Sequence, residues 1–311
     1  MLDMSQRTLN IVNEERKGRD GDLKKLLNSL FSSVVIFVSI CVIAALIAIF
    51  AMLIHESLPA LKEIGWGFLS SGEWYPTYNN AEFGMLYMIL DSLILVGLTS
   101  TVVFSMGLGI ALYITEYANR KEQEVVRSVT ELISGIPSVV VGLIGVLLIG
   151  PLMLKIGAWT PFNLLNAGIS LTILTLPYAI SLLIESLQSV NRDLREAAWA
   201  LGSSKIKATA VVLRGAKHEM LYALVLIINR ILGETMVVLM VAGGAVMLPK
   251  SLFDPIRPLT AAIASEMGEV ELGSLHYSAL FLMGVVLLAI STAITVTTEF
   301  FIRKGKRWLI G

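Results

Sequence analysis

Six stretches of this chain, approximately 30 to 54, 85 to 113, 132 to 156, 167 to 187, 220 to 245 and 277 to 302, are largely apolar runs of about 20 residues or more. A helix rises about 1.5 Å per residue, so a run of that length is what crossing a bilayer's hydrocarbon core requires. Lipid offers the backbone no hydrogen-bond partners, and a helix satisfies them internally. The pattern therefore predicts an all-α membrane protein of six transmembrane helices. Composition agrees: of 311 residues 55% are hydrophobic and 15% charged, and the mean hydropathy is +0.76. That is more apolar side chain than a soluble domain can bury.

The formal charge is zero, which gives no argument for nucleic acid or an acidic partner; the distribution along the chain decides more. With six crossings both termini share a side. Nineteen of the 24 Lys and Arg fall there: six in the N-terminal arm, three in the 114 to 131 loop, six in the 188 to 219 loop and four in the tail. The opposite side has three, Lys62, Lys250 and Arg257. The excess of cations on one side predicts cytoplasmic termini. The chain then divides into an N-terminal arm (1–29), a first transmembrane helix (30–54), an outer interfacial segment (55–84), a five-helix core (85–302) and a tail (303–311). The arm is too long for the n-region of a cleaved signal, so the first span is read as retained. The lone Cys41 lies in that span, where it faces lipid or packs. Trp66, Trp74, Tyr75 and Tyr277 fall near the outer ends of spans, the depth amphipathic rings favour.

Two segments carry functional signals. The loop after the fourth span reads SVNRDLREAAWALGSSKIKATAVVLRGAKHEM. Glu196, Ala197 and Ala198 make a good helix start, Gly202 interrupts it, and a second helical stretch is expected from about Lys205 to Leu213. The spacing predicts a helix, turn and helix at the membrane surface, with a basic amphipathic surface loop as the alternative. In the fifth span, NRILGETMVVLMVAGG places Arg230 and Glu234 inside an apolar run. Each ionised group near the bilayer centre costs about 2.5 to 3.5 kcal/mol on insertion scales, so both are expected to face protein or water. Their spacing of four puts them on one helical face. Either the pair only fixes helix packing, or Arg230 supplies a fixed cation for an oxyanion in transit and Glu234 keeps that anion from being trapped.

The stretches ELISGIPSVVVGLIG (131–145), EAAWALG (196–202), RILGETMVVLMVAGG (230–244) and PLTAAIASEMGEVELGSLHYSALF (258–281) resemble, in order and topology, the PstC branch of phosphate importer permeases. The resemblance implies a six-span core related to the MetI-like permeases of type I importers of the ATP-binding cassette class, in a bacterial cytoplasmic membrane. It also implies partners: a PstA-type permease, a PstB-type ATPase dimer and a PstS-type phosphate-binding protein. On that resemblance Arg230 and Glu234 line the substrate pathway, and Glu196, Ala197, Ala198 and Gly202 dock the ATPase. The family loop usually ends in Val-Leu-Pro, whereas here Val212 and Leu213 are followed by Arg214 and Gly215. Without the proline that helix end is less sharply set.

Gly135 and Pro137 are expected to bend or open the third span as a hinge, and Gly142, Gly145 and Gly150 to permit close helix approach, as packing glycines do in many membrane proteins. Pro177 has the same expected effect in the fourth. Asp91, inside the second span, is expected to line an outer vestibule or reach the headgroups. No phosphate-cradling Gly-x4-Gly-Lys-Ser/Thr stretch occurs, because Gly305-Lys306 is followed by Arg307. ATP and magnesium are therefore expected on partner subunits, with no cofactor, metal or catalytic residue in this chain. Three readings stay open: a phosphate permease, a permease for sulfate or molybdate, and a secondary transporter in which Glu234 carries a proton. A membrane-embedded enzyme finds no nucleophile or metal constellation in the sequence.

Overall fold

The computed structural model describes residues 2–77 and 80–307, with side chains for residues 28–77, 80–191 and 193–302. The cationic side chains of the N-terminal arm and tail therefore lie outside the described residues, as do the sequence expectations that rest on them. The chain forms two compact units, Met1–His55 and Glu56–Gly311. Helix α1 spans Leu2–Ile64. In the first unit its apolar stretch exposes Phe31, Ile36, Phe37 and Ile47, and Cys41 is exposed too. A helix that is apolar all round needs lipid as its solvent.

In the second unit, α2 (Leu86–Leu112), α6 (Leu164–Gln188) and α8 (Lys205–Leu232) pack on one another. Their shared core holds Leu95, Val103, Leu171, Ala179, Ile227 and Ile231. Small residues set the approach: a Cβ on Gly107 would stand 3.2 Å from Leu183, and one on Gly168 2.9 Å from Leu98. Pro177 sits inside α6 without ending it.

The third predicted span begins later than expected. Residues Arg120–Ser134 form a separate helix, α3, opened by a capping box in which Asn119 and Glu122 satisfy each other's backbone N–H. Exposed pairs Arg120–Glu124 and Arg127–Glu131 mark α3 as a surface helix, so Glu131 lies near the end of this element instead of starting a crossing. The chain then breaks at Gly135–Pro137, and Pro137 caps α4 (Ser138–Ile144) with extended backbone. A π-turn at Gly145–Ile149 and α5 (Gly150–Lys155) complete the crossing, Ser138–Lys155. The buried Asn166 of α6 supports this wide turn by donating to the carbonyls of Gly145, 3.0 Å away, and Pro161. Gly145 has no room for a side chain, since a Cβ would lie 2.6 Å from both Ser170 and Val241.

The fifth predicted span, 220 to 245, is not one helix. Helix α8 starts at Lys205, runs through the expected loop and stops at Leu232. With Arg214 and Gly215 following Leu213 and no proline there, the helix continues. After Gly233 the chain resumes as the short α9 (Met236–Val241) and turns back at Gly243 and Gly244, both at positive φ. Gly243 is required twice over: its φ is +97°, and a Cβ there would stand 2.5 Å from Pro255 and 2.7 Å from the Phe162 carbonyl. Ile256 forms an isolated parallel bridge with Gly243, donating to the Ala242 carbonyl at 2.8 Å and accepting the Gly244 N–H at 3.1 Å. Asp254 anchors the loop by accepting the N–H of Lys250 and Ser251, and those bonds hold its carboxyl below the usual aspartate range. Helix α10 (Leu259–Glu266) follows, then α11 (Leu275–Arg307). Five helices among the described residues are long and apolar enough to span a bilayer. The remaining predicted crossing, the fifth, is divided between α8 and α9.

From Glu56 onward the 55 to 84 segment continues α1, makes one turn of tighter helix at Gly65–Leu69, and ends in a hairpin of β1 (Trp74–Tyr75) and β2 (Glu82–Phe83). Phe68, Trp74 and Phe83 bury themselves in a cluster with Met85, Leu259, Leu280 and Met283, so the segment is packed onto α10 and α11.

Candidate functional site

Arg230 occupies the last turn of α8 and Glu234 the break that follows. Arg230 Nη1 donates to Glu234 Oε2 at 2.7 Å, with the arginine side chain 41% exposed and the glutamate 7%. A buried carboxylate thus leans on a partly exposed cation, the arrangement an incoming oxyanion can use. The break is tied down from two sides. Thr260 of α10 donates to the Glu234 carbonyl at 3.1 Å. On the neighbouring turn Asn229 donates to Thr295, and Ser291 donates to Asn229. The sequence reading placed the pair inside a continuous span; the structure places it where the helix opens.

The loop after α6 forms the expected helix, turn and helix. Helix α7 (Arg192–Ala200) is capped by Asn191 and closes with the N–H of Gly202 on the Trp199 carbonyl and that of Ser203 on Ala198. Gly202 has φ +72° with open space about it, so backbone conformation and not packing calls for glycine here. Glu196 and Ala197 are exposed, and Ala198 is buried. Leu194, Trp199, Leu201 and Ile206 stand exposed around the turn, forming an apolar knob.

Asp91 neither lines a vestibule nor reaches outward. It is fully buried in α2 and accepts the backbone N–H of Arg257 at 2.8 Å, while its neighbour Ser92 accepts that of Leu259. Together they cap the start of α10. The hinge residues Gly135 and Pro137 lie at the α3–α4 break, apart from this site in the chain order.

One cluster went unread in the sequence. Glu266, at the end of α10, takes bonds from Arg257, from Trp74 Nε1 at 3.1 Å to each oxygen, and pairs with His276 Nε2 at 2.6 Å. Four elements meet on one carboxylate beside a cavity of about 400 Å³. No sequence spacing announces it, because Trp74 lies 192 positions from Glu266.

The broken helix, the exposed knob and the α2–α6–α8 core define a class of transport subunit. Residues 104–306 match the family described as binding-protein-dependent transport system inner membrane component. The chain belongs to that family. A probable ABC transporter permease protein, YqgH of Bacillus subtilis, is 34% identical over 226 residues, 72% of this chain and 73% of that protein. The phosphate transport system permease protein PstC of Xylella fastidiosa is 29% identical over 312 residues, covering 93% of each. The PstC of Haemophilus influenzae is 27% identical over 89% of this chain. Among solved structures, the inward-facing MetNI methionine ABC transporter superposes with a TM-score of 0.56 at 19% identity, covering 71% of this chain and 97% of that one. A bacterial importer of alginate gives 0.61 at 18% identity, covering 85% and 92%. Those two likenesses are of fold. The chain is thus a membrane-spanning permease subunit with the MetI-type fold.

Proposed function

We propose that this chain is the PstC-type permease subunit of an ATP-driven importer of inorganic phosphate, resident in a bacterial cytoplasmic membrane with both termini inside. It forms one lateral half of the translocation path beside a PstA-type permease, receives phosphate from a PstS-type binding protein, and is driven by a PstB-type ATPase dimer that binds ATP and magnesium. The observation that carries the reading is the exposed Arg230 guanidinium held on the buried Glu234 at a helix break. A fixed cation in a low-dielectric setting binds an oxyanion, and the adjacent carboxylate weakens that hold so the anion can leave. The opened backbone at Gly233–Thr235 suits such a site, since irregular backbone at membrane depth is found where it is buried in protein or lines a cavity. The likeness to several PstC proteins supports phosphate as the cargo. Glu196, Ala197, Ala198 and Gly202, with the apolar knob of Leu194, Trp199, Leu201 and Ile206, form the ATPase docking element. Reconstituting the chain with its copurifying partners and following ATP-dependent accumulation of radiolabelled phosphate, sulfate and molybdate tests the reading. Phosphate alone should accumulate. Sulfate or molybdate accumulation, or uptake driven by a pH gradient without any ATPase, would replace it with one of the rival readings.

A further inference from the structure

The end of α2 is a π-turn, Tyr113–Tyr117, and it touches the docking element at two points on either side of Gly202. On one side Arg195, the residue before Glu196, brings Nη2 to 2.8 Å from Glu116 Oε1, with side chains 19% and 8% exposed. The same Nη2 reaches the Leu187 carbonyl at the end of α6, 3.3 Å away. On the other side Lys205, the first residue of α8, lies 4.6 Å over the Tyr117 ring, whose hydroxyl is 3.5 Å from Thr209. The turn is itself braced: Gln123 of α3 donates to the carbonyls of Ile114 and Ala118, and Tyr113 donates to Glu122. Single π-turns of this kind interrupt helices most often where function requires it.

A second observation points to the same element. Among the described residues, four buried side-chain atoms lack a hydrogen-bond partner: Asp91 Oδ1, Thr99 Oγ1, Glu116 Oε1 and Arg195 Nε. Three belong to α2 and its π-turn, and the fourth to the guanidinium that faces it. Glu116 and Arg195 are close enough to attract strongly, yet their contact lacks hydrogen-bond alignment. Buried polar groups left short of partners are costly.

We propose that Arg195 and Glu116 are positioning residues that make α2 the receiver of the docking element's movement, with Lys205 on Tyr117 as the second point of grip. The inference rests on the reading of α7 as the ATPase docking helix. When the ATPase dimer closes, α7 moves, and the ion pair draws the π-turn and α2 with it. The movement reaches the site through the other end of α2, where Asp91 and Ser92 hold the backbone of α10, whose Thr260 holds the Glu234 carbonyl. Arg195 touches no cargo in this scheme; it sets where α2 lies when ATP is bound.

The test uses the reconstituted importer and reads phosphate accumulated per ATP hydrolysed, with capture of the ATPase as a separate measurement. In Glu116→Gln the ATPase should still copurify and hydrolyse ATP, while phosphate per ATP falls about tenfold, the scale of ordinary coupling energies. Arg195→Glu should lose coupling too, and the charge exchange Arg195→Glu with Glu116→Arg should recover a substantial part of it, which a packing role alone would not produce. Thermal melts of each variant in detergent exclude misfolding as the cause. Wild-type phosphate per ATP in Glu116→Gln, or coupling as poor in the exchange as in Arg195→Glu, overturns the inference and leaves the docking reading standing. Failure of the wild-type chain to capture an ATPase overturns both.

Discussion

Arg230 and Glu234 depend on each other unequally. Glu234 is enclosed by protein and Arg230 is only partly covered, so losing the arginine strands a buried carboxylate, whereas losing the glutamate leaves a cation that water reaches. Arg230→Gln should lower stability by about 2 kcal/mol, less than for a fully buried pair because the arginine is already partly solvated. The double change Arg230→Gln with Glu234→Gln should regain most of that loss while still failing to transport. Thermal melts of the two purified variants against wild type check this. Glu266 makes a larger claim on stability, because Arg257, Trp74 and His276 converge on it. Glu266→Ala should cost about 3 kcal/mol by leaving a buried guanidinium unpaired, seen as a lower melting temperature and faster exchange of the hairpin amides. The two residues differ in legibility for a physical reason. Four residues of spacing in an apolar run are visible in any reading of the sequence, while Glu266 adds to its neighbours Arg257 and His276 a partner, Trp74, that only the fold brings to it.

At the level of elements, periodicity and run length give the second, fourth and sixth predicted spans to within a few residues, and where the third and fifth mislead, glycine and proline chemistry explains it. The run from 132 looks continuous because Leu132 and Ile133 are apolar, but Pro137 lacks the N–H that a continuing helix needs. The run from 220 looks continuous because α9 is as apolar as the end of α8, and hydropathy does not register the helix stop at Gly233 or the reversal at Gly243. The predicted close approach at Gly145 is accompanied by a contact that sequence does not show, the Asn166 bond to the Gly145 carbonyl, which also accepts the N–H of Gly150. Gly145→Ala should therefore destabilise by about 1 to 3 kcal/mol through overpacking against Ser170 and Val241. The same change at Gly97, with nothing within 4 Å of the added carbon, should be tolerated. Gly243→Ala adds unfavourable backbone to overlap with Pro255 and should be the worst of the three. Yield and melting temperature of the three purified variants should rank them Gly97→Ala, Gly145→Ala, Gly243→Ala from mildest to most severe.

Across the whole molecule, the exposed apolar knob and the Arg230–Glu234 pair lie at opposite ends of the long α8, Lys205 at its start and Arg230 in its last turn. The absence of proline after Leu213 lets one helix join them, which reading the loop and span as separate pieces did not foresee. Docking and transport should consequently separate by mutation. Trp199→Ala, or Gly202→Ala with its left-handed backbone penalty of about 1 kcal/mol or more, should weaken capture of the ATPase while leaving the chain folded. Changes at Arg230 should leave capture intact. The account's central claim is that the Arg230 guanidinium gives an oxyanion a temporary holding point. Its most direct test is the rate of ATP-driven phosphate uptake into vesicles carrying the assembled importer, compared between wild type, Arg230→Lys and the double change Arg230→Gln with Glu234→Gln. Uptake that survives in reduced measure with lysine and vanishes in the double variant, with all three complexes assembled, is the predicted result; undiminished uptake in the double variant would contradict it.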